Sequence, residues 1–181
     1  MNNTVNQDRA RFNRSIAIDL NTNAATWKKV VFNGTSPDNY NTFGMNDATK
    51  LRMLDWDAVN EKFVIYGDYD SNFLMGFYPV TNATLITTKS VLQFRIAVPN
   101  GGGPGVTKYF PYGDDATPYV DMGEVTLLAG GVRHVPVILP VTATALIRAN
   151  GFWVECRLSN ALVTLGQCTM TSAYITFLST R

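Results

Sequence analysis

Charge is scarce in this sequence. Asp, Glu, Lys and Arg make up 16% of its 181 residues and balance to a formal net charge of +1, whereas about 25% is usual for a globular chain. No strong field is available to draw the chain onto nucleic acid or an anionic membrane surface. The polar surface must therefore be built largely from Asn, Thr and Ser, and a partner must be found by shape and area. Cysteine is equally sparse. Cys156 and Cys168 are too few for a disulfide framework, and in a reducing compartment they read as small buried thiols. No apolar run approaches the roughly 20 residues of a membrane span. The opening MNNTVNQDRARFNR lacks the apolar centre of a secretory signal, so the expectation is a soluble chain made in the cytoplasm.

The groups that carry catalysis are also missing. The single histidine, His134, lies in an apolar strand, and zinc would need further His or Cys ligands at short spacing. A Ser-His-Asp set would have to use the same histidine, and no GxSxG elbow occurs. Asp68, Asp70 and Asn72 begin like a calcium loop, but the sixth position is not Gly and the twelfth is Pro79, which excludes an EF-hand. A loop calcium site built from Asp55, Asp57, Asp68 and Asp70 stays open beside the simpler reading that these aspartates shape turns. Residues Asn100 to Val106, NGGGPGV, invite comparison with a phosphate loop. Val106, Thr107 and Lys108 stand where Lys and Ser/Thr would be required, and Pro104 prevents the helix that a dinucleotide fingerprint needs. The reading is a glycine-rich connection between strands, in a protein that is not an enzyme and uses no metal or cofactor.

What is present is alternation. In GFWVECRLSN, Phe152, Val154, Cys156 and Leu158 alternate with Trp153, Glu155 and Arg157, the period of two of a strand with one buried face. SVLQFRIAV repeats it with Leu92, Phe94, Ile96 and Val98. TMTSAYITFLST places Ala173, Ile175 and Phe177 opposite Tyr174, Thr176 and Leu178, as expected of a strand inside a sheet. Weaker strand signals are TWKKVVF, EKFVIYG, NFLMGFYP, GEVTLL, VRHVPVIL and TALIRA. Gly130-Gly131 reads as a hairpin corner. DATKLRMLDWDAVNEK suits either a short helix or a hairpin whose turn is Asn60-Glu61. Strand spacing of about 8 to 15 residues points to an all-β, antiparallel β-sandwich of jelly-roll type.

Residues 1 to 26 differ from the rest. Asn, Gln, Thr and Arg dominate, and only Ile16, Ala17, Ile18 and Leu20 form an apolar patch, too little for a core. The expected organisation is an extended N-terminal arm over 1–26 and a sandwich domain over 27–181, with a frayed terminus and an edge strand at 15–20 as the alternative. Arg9, Arg11 and Arg14, diluted by Asp8, are too few to neutralise a packaged genome, so nucleic acid is not an expected partner.

An Asn/Thr-rich, low-charge β protein with a polar arm, aromatic loops and no catalytic set resembles the jelly-roll capsid decoration, or cement, proteins of tailed bacteriophages and the compact heads of phage fibres. The C-terminal TSAYITFLSTR is similar to the last strand of trimeric jelly rolls of the tumour-necrosis-factor and complement type. The resemblance implies a mechanical role on the virion's capsid surface: a homotrimer that binds the major capsid protein, with Arg9, Arg11, Phe12 and Arg14 along the shell and Tyr174 or Phe177 at the three-fold axis. No membrane partner is implied. The rival implication is a receptor-binding fibre or tail component. Its loop residues Tyr109, Phe110 and Tyr112, with the segment from Gly113 to Pro118, would contact a host surface glycan.

Overall fold

The computed structural model describes residues 8–14, 16–21, 26–33, 39–43, 53–66, 72–84, 88–99, 107–110, 119–126, 131–134, 136–160 and 167–179. Its elements are β1 (Arg9–Arg14), β2 (Ile18–Asp19), β3 (Lys28–Lys29), β4 (Tyr40–Asn41), β5 (Leu54–Asp57), β6 (Lys62–Ile65), β7 (Asn72–Thr84), β8 (Val91–Pro99), β9 (Thr107–Phe110), β10 (Val120–Glu124), β11 (Val132–Arg133), β12 (Val137–Thr142), α1 (Ala145–Asn150), β13 (Trp153–Leu158) and β14 (Gln167–Ser179). The protein is an all-β antiparallel sandwich. One sheet has the order β11-β7-β14-β1-β4, with β12 also pairing β7 and β2 also pairing β14. The second has the order β10-β8-β13-β3, with β9 also pairing β8, and β5 and β6 form a separate two-stranded sheet. From β7 onward the chain runs β7 in the first sheet, β8 to β10 in the second, β11 and β12 in the first, β13 in the second and β14 in the first. This repeated crossing brings strands far apart in sequence together and places the core between the sheets.

Period-two patterning decides what fills that core. Leu92, Phe94, Ile96 and Val98 of β8, and Val154, Cys156 and Leu158 of β13, are all buried. Across from them Phe77 of β7 stacks on Phe94 with ring centroids 5.0 Å apart. Phe63 of β6 is the hub of the aromatic packing, with centroids 4.8 Å from Trp56, 4.9 Å from Phe177, 5.3 Å from Phe152 and 5.4 Å from both Phe12 and Phe32. Burying each such ring stabilises the fold by roughly 1.5–3 kcal/mol relative to exposure. The two cysteines are free and buried, one in each sheet. Burial raises both thiol pKa values, that of Cys168 to about 12, with the Asp19 carboxylate adding to the effect there.

β14 lies inside its sheet, between β7 on one side and β1 and β2 on the other, as its two-faced pattern anticipated. The ambiguous DATKLRMLDWDAVNEK contains β5 and the turn that leads into β6, with Glu61 at φ 51° in that turn. Asp57 closes this turn by accepting from the backbone N–H groups of Val59 and Asn60 and from the Asn60 amide.

Several local expectations give way. TALIRA, read as a strand, is the helix α1. Thr144 caps it by accepting from the Ile147 N–H at 3.3 Å, Ala, Leu and Arg favour the helix, and Gly151 ends it at φ 71°. GEVTLL, also read as a strand, supplies the last two residues of β10, Gly123 and Glu124; Val125 and Thr126 follow the strand, and Leu127 and Leu128 lie outside the described residues. Pro79 stands inside β7, a central strand where proline cannot donate to the ladder. The register of β14 against β7 shifts between Met170 and Ser172, so the irregularity falls beside the Ala173–Pro79 pair.

The N-terminal segment also departs from the reading of an arm. β1 is hydrogen-bonded to β14 along its whole length, from the Arg9–Leu178 pair to the Arg14–Ala173 pair, and β4 covers part of its other edge. Alternation is the reason. Ala10 and Phe12 turn inward, so the segment brings its own share of core to the sheet. NGGGPGV lies outside the described residues, while β8 and β9 on either side of it pair antiparallel.

Candidate functional site

The outer face of the first sheet collects arginine, tyrosine and exposed apolar side chains. Since Ala10, Phe12 and Arg14 face inward, Arg9, Arg11 and Asn13 face out. The Arg11 guanidinium sits 4.1 Å above the Tyr174 ring, and Tyr174 stacks on Tyr78 at 4.4 Å with their planes 10° apart. Register makes this possible, because Asn13 pairs with Tyr174 and Tyr174 with Tyr78. The Tyr78 ring leans back over Gly76, where an added Cβ would come within 2.8 Å of the ring and of the Thr176 hydroxyl. Gly76 is therefore the residue that lets the stack lie flat. Beside it, pairing places Tyr40, Arg11, Thr176, Gly76 and Ile138 in one row and Arg9, Leu178, Leu74 and Pro140 in the next. Ile138 is 53% exposed and Leu74 38%. Arg9 lies over the half-exposed Tyr40 ring.

Of the residues singled out in the sequence, Arg9, Arg11 and Tyr174 thus share one surface. Phe12 is half-buried and packs against the core, and Phe177 lies within it, with no surface to offer a three-fold partner. Arg14 is buried too, donating to the Val31 carbonyl at 2.7 Å, and burial lowers its pKa. It cannot lie along a shell. Tyr109 and Phe110 belong to β9, their backbones paired with Ala97 and Ile96. Tyr112 and the segment 113–118 lie outside the described residues.

The other candidate chemistry settles into structural roles. Asp55 accepts from the Trp56 N–H, and Asp57 is engaged in its turn. Asp68 and Asp70 lie outside the described residues, among which no group of three His, Cys, Asp or Glu side chains forms a metal cluster. His134 ties the two sheets together. Its Nδ1 is 3.3 Å from the Met122 carbonyl, which can only accept, so Nδ1 carries the proton and Nε2 accepts from the Thr81 hydroxyl at 2.7 Å. Burial lowers its pKa, and the hydrogen bond to Met122 partly opposes this.

The outer face of the second sheet carries a cluster that strand alternation alone did not reveal. Gln93, Arg95 and Ala97, which alternation puts on the face of β8 away from the core, are nonetheless buried. Arg95 pairs with Glu155 at 2.6 Å, and the other Glu155 oxygen accepts from the Trp153 indole at 2.8 Å. Arg157 donates to Gln93 at 2.8 Å, which donates to Asp121 at 3.0 Å. Above them lies Trp27, its ring 4.2 Å from the Arg95 guanidinium and 4.5 Å from that of Arg157. Tyr119 closes in from the opposite edge of the sheet, 6.2 Å from Trp27 and 5.5 Å from Arg157. Trp27 and Tyr119 each stand directly before a strand, β3 and β10.

No protein-family model matches the chain, and no curated protein matches it in sequence. Among the described residues, no helix is long and apolar enough to cross a membrane.

Proposed function

We propose that this protein is a virion structural component, a capsid decoration protein that seats on the shell of a tailed bacteriophage as a homotrimer and binds the major capsid protein. The observation that carries the reading is the outer face of the first sheet. Its exposed Ile138 and Leu74 lie beside Arg9, Arg11 and the Tyr78–Tyr174 stack, a combination of apolar area and arginine suited to a protein neighbour. The strand orders support the fold that the role implies. With β1 and β2 taken as one strand, β9 and β10 as one, and β11 and β12 as one, and with the short edge strand β4 and the β5–β6 hairpin left out of the count, the sheets run first-eighth-third-sixth and second-seventh-fourth-fifth. That nesting belongs to a jelly roll made of two Greek keys.

The contact assigned to an N-terminal arm moves to this face, carried by Arg9 and Arg11 of β1. The test is co-sedimentation of the purified protein with emptied, expanded capsids. Wild type is expected to bind without nucleic acid, and Leu74→Glu/Ile138→Glu to lose at least about tenfold in affinity, about 1.4 kcal/mol, with unchanged circular dichroism. Equal binding by the variant would remove the role of this face. Light scattering should give three times the 20.0 kDa chain mass. Copy number separates locations, since hundreds per virion belong to a shell and a handful to a tail or fibre.

A further inference from the structure

We propose that the aromatic roof of the second sheet, Trp27 and Tyr119 with the Asp121 carboxylate beside them, is a stacking site for a neutral pyranose of a surface oligosaccharide. The site is distinct from the shell-binding face and does not depend on it.

The roof is held in place from below. Trp27 rests on two guanidiniums, and these are fixed in turn by Glu155 and Gln93, the first of which also holds the Trp153 indole. Neither ring belongs to the core cluster between the sheets, and Tyr119 is left 40% exposed. A rigid aromatic plane at a surface, with little rotamer freedom left to lose, is what stacking on a flat C–H face requires. Asp121 follows Tyr119 by two residues and is exposed, where it can accept from sugar hydroxyls.

Charge narrows the ligand class. Two guanidiniums at 4.2 and 4.5 Å from the Trp27 ring already occupy its π system and repel a quaternary ammonium brought to the same ring. The exposed Asp121 carboxylate beside Tyr119 disfavours the phosphates of a single-stranded nucleic acid, which would otherwise stack on the same rings. A neutral polyhydroxylated ring meets neither objection.

The experiment is an array of neutral oligosaccharides probed with the intact protein, followed by tryptophan-fluorescence titration with each hit. An oligothymidylate and tetramethylammonium serve as controls. At least one neutral oligosaccharide is expected to bind saturably, and Tyr119→Ala is expected to weaken that binding about tenfold, which is about 1.4 kcal/mol, while retaining the wild-type melting temperature and capsid binding. Trp27→Phe, which preserves a ring over the arginines, is expected to bind more weakly than wild type and more tightly than Trp27→Ala. The proposal is overturned if no neutral oligosaccharide binds, if Tyr119→Ala binds as tightly as wild type, or if only the oligonucleotide or the ammonium binds.

Discussion

His134 shows how a single side chain couples pH to the two-sheet arrangement. It reaches from the segment between β11 and β12 to Thr81 in its own sheet and to Met122 in the other, and it does so as a neutral imidazole whose two nitrogens have opposite hydrogen-bonding roles. Protonation would turn the Nε2 acceptor into a donor inside a buried site. The folded-state pKa is lowered mainly by burial, so the unfolded chain takes up the proton first as pH falls. The stability held by this group is complete above the ordinary histidine value of about 6.5 and declines below it, until the folded-state pKa is passed. Urea midpoints of wild type and His134→Gln should therefore lie farther apart at pH 7.5 than at pH 5. A separation that stays constant over that range would show that the imidazole does not titrate with unfolding. The sequence placed this histidine in an apolar strand. It gave no sign of the partners, because Thr81 and Met122 lie 53 and 12 residues away.

At the scale of elements, the junction between α1 and the β5–β6 hairpin depends on one missing side chain. Gly151 has φ 71°, and a Cβ there would collide with the Phe63 carbonyl. That carbonyl accepts from the Phe152 N–H at 2.9 Å, while the Phe63 N–H donates to the Phe152 carbonyl at 2.7 Å. Gly123 provides the comparison, since it has φ 102° with nothing within 4 Å of its absent Cβ. Gly123→Ala should cost about 1 kcal/mol of unfolding free energy, the strain of the backbone alone. Gly151→Ala should cost about 3 kcal/mol, because the clash with backbone adds to that strain. Denaturant titration of both variants checks this, and equal losses would mean that steric contact with Phe63 contributes nothing. The strands β8, β13 and β14 were legible from alternation alone. α1 was not, because Ala-Leu-Ile-Arg-Ala is compatible with either state and the decision rests on its two caps.

For the whole molecule, the N-terminal segment matters most. If residues 1 to 26 were an arm, their removal would leave the sandwich folded; with β1 in the sheet, removal strips the edge of β14 and takes Phe12 from beside Phe63 and Phe177. A chain beginning at residue 27 should lose cooperative thermal unfolding and the near-ultraviolet dichroism of its packed aromatics. A truncated chain that still melts cooperatively would restore the arm. The segment had looked unable to build a core, which is true of it in isolation. Ala10, Phe12, Ile18 and Leu20 suffice once β14 supplies the ladder and β6 the aromatic neighbours.

Composition and alternation by themselves determined that this chain is an all-β protein of low charge, and which faces of β8, β13 and β14 turn inward. Both follow from local physics, since a strand's side chains alternate whatever the strand pairs with. Only the tertiary structure decided what the outer faces became. Arg11 over Tyr174, and Trp27 and Tyr119 over Arg95 and Arg157, join residues brought together by register between distant strands. Register is set by turns, edges and the packing of the opposite face. An outward-facing residue thus carries no local signal of the neighbour it will meet.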